Sequence, residues 1–408
     1  MNKFSTVIIG GGLSALTCGI KLAKHGQRVA IFVTKASTLR INPGAMRLLG
    51  QIGGETVVSP LDAIAGLCPE HPYRKIGAGQ VDVWAREARH LLADADVRMD
   101  GRPDRNHFAL SPFGVPRPVW LSYGNIARSD NPDRLPWKEV LLIVPKGFID
   151  FPANSVAERI RNLGTKVNFA EIDTPALASA RRTASGMRTV QLARVLSMPK
   201  HSSELVEAIE TAIGGSRAMA LMPAIVALDN SDTQMRLNSR FGKNLRFIPT
   251  MPPSIAGEHI AASMRHYFSM LGGAFYQAET ISRLTVDDGR VVAVSSQQRP
   301  DRQVVARHFV LATGSLGTGG LISNGRSAVE PLLGLDTALN LHTDVPNPFA
   351  GLGVLTDDDF HPLLGGKPVA NLFAIGSILP RDVNASGDDS GVEIITGLAV
   401  ADKILKNS

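Results

Sequence analysis

Thr6-Val-Ile-Ile-Gly10-Gly11-Gly12-Leu13-Ser14-Ala15-Leu16 decides the reading of this chain. Thr6 to Ile9 is a short run rich in β-branched residues, the pattern of a buried parallel strand. The glycines after it match G-x-G-x-x-G/A. Gly10 makes a tight turn, Gly12 lets the backbone approach a phosphate, and Ala15 keeps the next helix close to the strand. Leu13, Leu16, Ile20 and Ala23 fall on one face of that helix, and Gly26 stands where helices end. Val29 to Val33 is the second strand. The unit takes about thirty residues, the length a β-α-β crossover requires. The helix N-terminus offers unpaired N–H groups and the positive end of its dipole to an anion. Residues 5–34 therefore predict the opening of a Rossmann-type nucleotide-binding domain.

One part of that pattern is missing. A Glu or Asp after the second strand normally holds an adenosine ribose hydroxyl. Here the chain reads Phe32-Val33-Thr34-Lys35. Thr34 can make one weaker hydrogen bond, and Lys35 favours a phosphate. The departure argues against NAD and against tightly held FAD, and leaves room for a shorter cofactor or a degenerate site.

With 408 residues the chain is too long for one ordinary core. The expected organisation is α/β: residues 1–60 and 251–408 form two parts of the Rossmann-type domain, and residues 61–250 form a large insert with its own α/β core. Within the insert, Val140–Val144 and Lys166–Ile172 read as strands around a helix from Ala153 to Leu163, and Ala218–Met222 as a further strand. Beyond it, Ile281–Val286 and Val291–Ser295 flank Asp287-Asp288-Gly289-Arg290, a hairpin with an Asp-Gly turn. His308–Ala312 and Asn371–Ile375 are strands, and Val392–Leu405 is a closing helix.

Composition excludes several classes. The net charge is +6, but the basic residues are scattered rather than gathered in the stripes of a nucleic-acid protein, so no nucleic acid is expected. Cys18 and Cys68 form no C-x-x-C pair, so the chain holds no iron–sulfur cluster or structural zinc, and Cys18 reads as a small core residue. No histidines stand at metal-ligand spacing. Ala218–Leu228 is apolar for only 11 residues, against the roughly 20 a bilayer needs. No signal peptide is expected either.

Two later segments turn the reading toward flavin. His308-Phe-Val-Leu-Ala-Thr313-Gly314 resembles the A-T-G strand end of glutathione-reductase-like flavoproteins. Asn371-Leu-Phe-Ala-Ile-Gly376-Ser377 resembles their last motif, which touches the flavin. More narrowly, the chain resembles the B subunits of bacterial anaerobic glycerol-3-phosphate dehydrogenases. The resemblance rests on Val7–Leu16, His71-Pro-Tyr73, Leu221-Met-Pro-Ala224, Met251-Pro-Pro-Ser254, Val310–Ser315 with Gly319-Gly-Leu321, Glu330–Asp336 and Asn371–Ser377.

That resemblance implies a flavoprotein subunit, with FMN the cofactor usually ascribed to it and FAD the alternative. It implies an FAD-bearing A subunit and a membrane-associated iron–sulfur C subunit as partners. It implies oxidation of sn-glycerol 3-phosphate to dihydroxyacetone phosphate, with electrons passed to quinone and then fumarate or nitrate. The chain would lie on the cytoplasmic side of the bacterial inner membrane, its membrane contact indirect. The cofactor residues implied are Gly10, Gly11, Gly12, Leu13, Ser14, Thr34, Thr313, Gly314, Gly376 and Ser377. Arg117, Arg188 and Arg326 are substrate candidates, because guanidinium groups bind phosphate bidentately, and His71 is one because it lies in a segment that carries the resemblance. No catalytic residue is singled out.

Departures leave alternatives open. Many flavoproteins carry Gly-Asp where this chain has Gly376-Ser377. Asp388, Asp389 and Glu393 stand before or in the last helix; facing a flavin they oppose negative charge there, and facing solvent they do nothing. A structural subunit without flavin and a free-standing FAD-dependent dehydrogenase are the rival readings. A nicotinamide enzyme leaves the A-T-G and Phe-Ala-Ile-Gly segments unexplained.

Overall fold

A computed structural model describes residues 3–33, 38–183, 185–226, 232–323, 328–338, 351–387 and 389–407. The β-branched run at the start forms strand β1 (Lys3–Ile9), and the glycine turn leads into helix α1 (Leu13–Lys24). Gly26 ends the helix at φ +76, a backbone angle that side chains disfavour, and strand β2 (Val29–Val33) follows, buried throughout. The β-α-β unit thus stands where the sequence predicts it.

Later elements complete this architecture: helix α2 (Ala78–Asp94), strands β3 (Ala274–Gln277), β4 (Ile281–Asp287), β5 (Arg290–Ser296), β6 (Val305–Leu311) and β7 (Leu372–Ala374), and helix α3 (Asp389–Lys406). Five strands form one parallel sheet in the order β3-β2-β1-β6-β7. Its register pairs Ile9 with both Phe32 and Leu311, and Leu311 with Ala374. The carboxyl ends of β2, β1, β6 and β7 are therefore level. Gly10, Val33, Ala312 and Ile375 all emerge on one edge, where open α/β sheets bind their ligands. Backbone bonds hold that edge: Gly10 donates to the Phe32 carbonyl, Ala312 to Ile9 and Ile375 to Leu311, at 2.8, 2.8 and 2.9 Å.

Helices α1, α2 and α3 pack on one another. A Cβ on Gly397 of α3 would lie 2.9 Å from the Ser14 carbonyl oxygen, so glycine lets α3 come close to α1. Lys21 of α1 is buried; it pairs with Glu87 of α2 at 2.9 Å and lies 3.9 Å over the Trp84 ring, which replaces the lost water. Cys18 is a core residue, and burial pushes its thiol up to about 12, well away from thiolate chemistry.

Strands β4 and β5 pair as the expected hairpin, turning at Asp288 (φ +44) and Gly289 (φ +68). Asn371, the first residue of the last motif, ties it to the sheet. Its side chain accepts from Val291 N–H and donates to the Val291 and Arg307 carbonyls, at 2.8, 2.8 and 3.0 Å, while 3% exposed. Asn371→Ala leaves the Val291 groups buried and unpaired. It is expected to cost about 2–3 kcal/mol, read as a lower urea midpoint at unchanged m-value.

The chain divides into two compact units, one of residues 1–38, 47–96 and 262–408 and the other of residues 39–46 and 97–261. Helix α2 thus lies with the glycine turn. The second unit has its own parallel sheet, in the order Lys166–Ile172, Glu139–Pro145, Met219–Pro223, Leu245–Ile248. The helix Ala153–Asn162 joins the first two of these in sequence. Among the described residues no helix is long and apolar enough to cross a membrane.

Candidate functional site

Level strand ends open a cavity of about 380 Å³ along the sheet edge, within the size range of small-molecule sites. Gly10, Gly11, Gly12 and Ser14 line it at the centre, and Val33 lines it on one side. Thr313 and Gly314, from the end of β6, line the other side together with Ser377, from the turn after β7. The sequence motifs therefore meet in one place because a parallel register aligns the ends of their strands.

The three glycines do different work. Gly10 has φ +125, and a Cβ there would lie 2.0 Å from the Ala312 carbonyl oxygen. A Cβ on Gly11 would meet both methyls of Val33 at 2.6 Å. A Cβ on Gly12 would meet nothing within 4 Å. Gly10 and Gly11 thus let β1 sit against its neighbours, whereas Gly12 faces open space.

Several features suit an anion or polyol here. Gly12 is the N-cap of α1 and makes no side-chain cap, and the first turn of α1 carries no acid. Its first N–H groups and dipole end are left to a ligand. The Thr313 hydroxyl oxygen is buried and lacks a hydrogen-bond partner, a cost that a ligand hydroxyl or phosphate oxygen would relieve. Gly376 (φ +75) leaves room for Ser14: a Cβ would come within 2.6 Å of the Ser14 hydroxyl. The Gly376 N–H donates to Thr396 Oγ1 at 2.8 Å, which fixes that turn on α3.

Leu13 points into the core at 1% exposure rather than into the cavity. Thr34, Arg326 and Asp388 lie outside the described residues. The remaining substrate candidates do not line the cavity. Arg117 is exposed on the strand Pro116–Val119, and Arg188 bonds Asp150 at 2.6 Å, both in the second unit. His71 is fully buried and caps the helix Pro72–Ile76, its Nδ1 accepting the Tyr73 N–H at 3.1 Å.

Other lining residues went unmarked in the sequence. Thr280, Ser282 and Gln297 come from the open end of the β4–β5 hairpin and stand beside Val33. Glu279 donates its N–H to the Val33 carbonyl at 3.1 Å, which anchors the hairpin there. Isolated polar residues carry no motif, so only the hairpin's placement reveals them. Pro331 and Leu332 also line the cavity. Buried Glu330 holds them by accepting the Leu332 and Leu333 N–H groups at 3.0 and 2.8 Å, and burial pushes its carboxyl upward.

The acids near α3 divide. Asp389 pairs with Arg47, whose Nε donates to it at 3.1 Å. Glu393 is half-buried and lines the cavity, with Ser377 Oγ 3.4 Å from its Oε1. Burial, then the Asp389 charge, pushes its carboxyl up to about 7, against the pull of Arg381 and the Ser377 bond.

Comparison with known proteins agrees with this geometry. Residues 5–391 match the FAD binding domain family. A protein of Yersinia pestis bv. Antiqua (strain Antiqua), named as the B subunit of anaerobic glycerol-3-phosphate dehydrogenase, is 34% identical over 99% of this chain and 98% of its own. Proteins of that name from Pectobacterium carotovorum subsp. carotovorum (strain PC1) and Actinobacillus pleuropneumoniae serotype 5b (strain L20) are 32% and 29% identical. They cover 99% and 98% of this chain, and 99% of their own length in each case. The solved 3-ketosteroid delta1-dehydrogenase of Sterolibacterium denitrificans is similar only at TM-score 0.46 and 11% identity, with both chains fully covered.

Proposed function

This chain belongs to the FAD binding domain family and, within it, to the B subunits of anaerobic glycerol-3-phosphate dehydrogenases, and from that premise we propose that it is a flavin-bearing subunit of a glycerol-3-phosphate dehydrogenase complex. The complex would oxidise sn-glycerol 3-phosphate to dihydroxyacetone phosphate and pass the electrons to quinone through partner subunits. The observation that carries this reading is the cavity at the glycine turn, in a chain related over nearly its full length to proteins of that name.

FAD rather than FMN is the flavin this reading takes, in keeping with the FAD binding domain match. Lining residues run from Ser377 at the end of β7 past the glycine turn to Thr280, Ser282 and Gln297 beyond Val33. That leaves room on both sides of a central phosphate. The three hairpin residues offer a neutral hydrogen-bonding shelf where the sequence lacks the usual acid. A bound flavin supplies the redox chemistry. The chain's own part is to hold phosphate on the N–H groups of α1, to meet hydroxyls with Ser14, Thr313 and Ser377, and to wall the cofactor from water.

Acid release and chromatography of the chain purified with its partner subunits test both parts. FAD is expected, and glycerol 3-phosphate is expected to bleach the oxidised-flavin absorbance. Release of FMN alone would overturn the assignment of the hairpin shelf. A colourless chain that takes up neither flavin would favour a structural subunit instead.

A further inference from the structure

Among the described residues that line the cavity, Glu393 is the one with a charged side chain; the others are neutral, and no Lys or Arg stands with them. Among the described lining residues, a change of charge on a ligand here is met by hydroxyls, backbone groups and this acid. On the reading that the cavity holds flavin, we infer that Glu393 is the residue that sets how readily that flavin is reduced.

Two contacts and two neighbouring charges surround the acid. Glu393 Cγ comes within 3.4 Å of the position a Gly376 Cβ would take, so this glycine admits it to the turn. Ser377 Oγ approaches its carboxyl at 3.4 Å. Asp389 precedes it by one helical turn and bears on it electrostatically, as does Arg381 from the preceding segment. From α1, the group at this turn is the uncharged Ser14. Arg47 is engaged by Asp389, and its main-chain carbonyl accepts the Gly391 N–H at 2.7 Å, which fixes the start of α3. The Arg47 cation thus pairs with the neighbour of Glu393.

Reduction adds electrons to the cavity. An ionised carboxylate on its wall disfavours any negative charge that remains, and more so between low-dielectric walls than in water. A protonated carboxyl has no such effect. The Glu393 carboxyl is pushed up to about 7, so its charge changes across the neutral range. The flavin is then harder to reduce above that pH than the same flavin beside a neutral side chain.

Midpoint potentials of the flavin-loaded chain at pH 6 and pH 8 test this. Glu393→Gln keeps the shape and removes the charge. At pH 8 it is expected to favour the reduced flavin about tenfold, a rise of about 30 mV for a two-electron couple, with a much smaller rise at pH 6. Wild-type and variant potentials that agree at both pH values, or that differ equally at both, would overturn the inference. Asp389→Asn supplies a second arm. It removes a charge that helps hold the Glu393 carboxyl up, so the inflection in the potential difference between chains without and with Glu393→Gln should move to lower pH. An inflection that stays in place would also overturn it. Wild-type chain that binds no flavin would overturn the functional reading beneath, and this inference with it. Flavin binding without these shifts would overturn this inference alone.

Discussion

Gly12→Asp is expected to make the chain slightly more stable and to weaken its flavin binding at least a hundredfold. Gly12 already has the extended N-cap conformation, φ −80 and ψ −171, which any residue adopts. Nothing lies within 4 Å of the new Cβ. An aspartate there caps the free N–H groups of α1 and complements the helix dipole, worth about 0.5 kcal/mol over glycine. The same carboxylate occupies and repels from the place where a phosphate would accept those N–H groups. Two charge-assisted bonds at about 1.5–3 kcal/mol each amount to at least a hundredfold in Kd. Thermal melting of the flavin-free chain and fluorescence titration with FAD measure the two effects. A chain that retains FAD at wild-type affinity would show that the turn is not the phosphate site.

Gly10→Ala should act in the opposite sense on stability. The new methyl would stand 2.0 Å from the Ala312 carbonyl oxygen, at a φ of +125 that side chains rarely adopt. The atoms it meets, in Ala312 and Thr313, are backbone and not a flexible side-chain end, so the strand end of β1 or β6 must move. Overpacking and backbone strain together are expected to cost about 3–5 kcal/mol. That is a large share of the stability of an ordinary domain. Urea unfolding of the flavin-free chain reads it directly. A loss below about 1 kcal/mol would mean the edge is loose enough to part, and the level register would not be what builds the site. Taken as a pair, the two substitutions separate a glycine needed by the fold from one needed by a ligand.

The local order of this chain is written in its sequence. Apolar β-branched runs, the spacing of Leu13, Leu16 and Ile20, and the Asp288-Gly289 turn each depend on neighbours a few residues away, so β1, α1, β2 and the hairpin are legible there. The A-T-G and Phe-Ala-Ile-Gly segments are legible for the same reason: each is a strand running into a turn. What Gly10 does is not legible, because it depends on atoms some three hundred residues distant. Gly10 and Gly12 are the same residue type, yet only the approach of Ala312 makes one structural and leaves the other free for a ligand. The acids of the last helix divide in the same way. Their spacing cannot say that Arg47 takes Asp389 while Glu393 turns into the cavity. His71 and Asn371 lie in recognisable segments, but burial and hydrogen bonding make one a helix cap and the other the tie between hairpin and sheet. Short-range pattern thus determined which elements form, and the register of one parallel sheet decided which side chains meet.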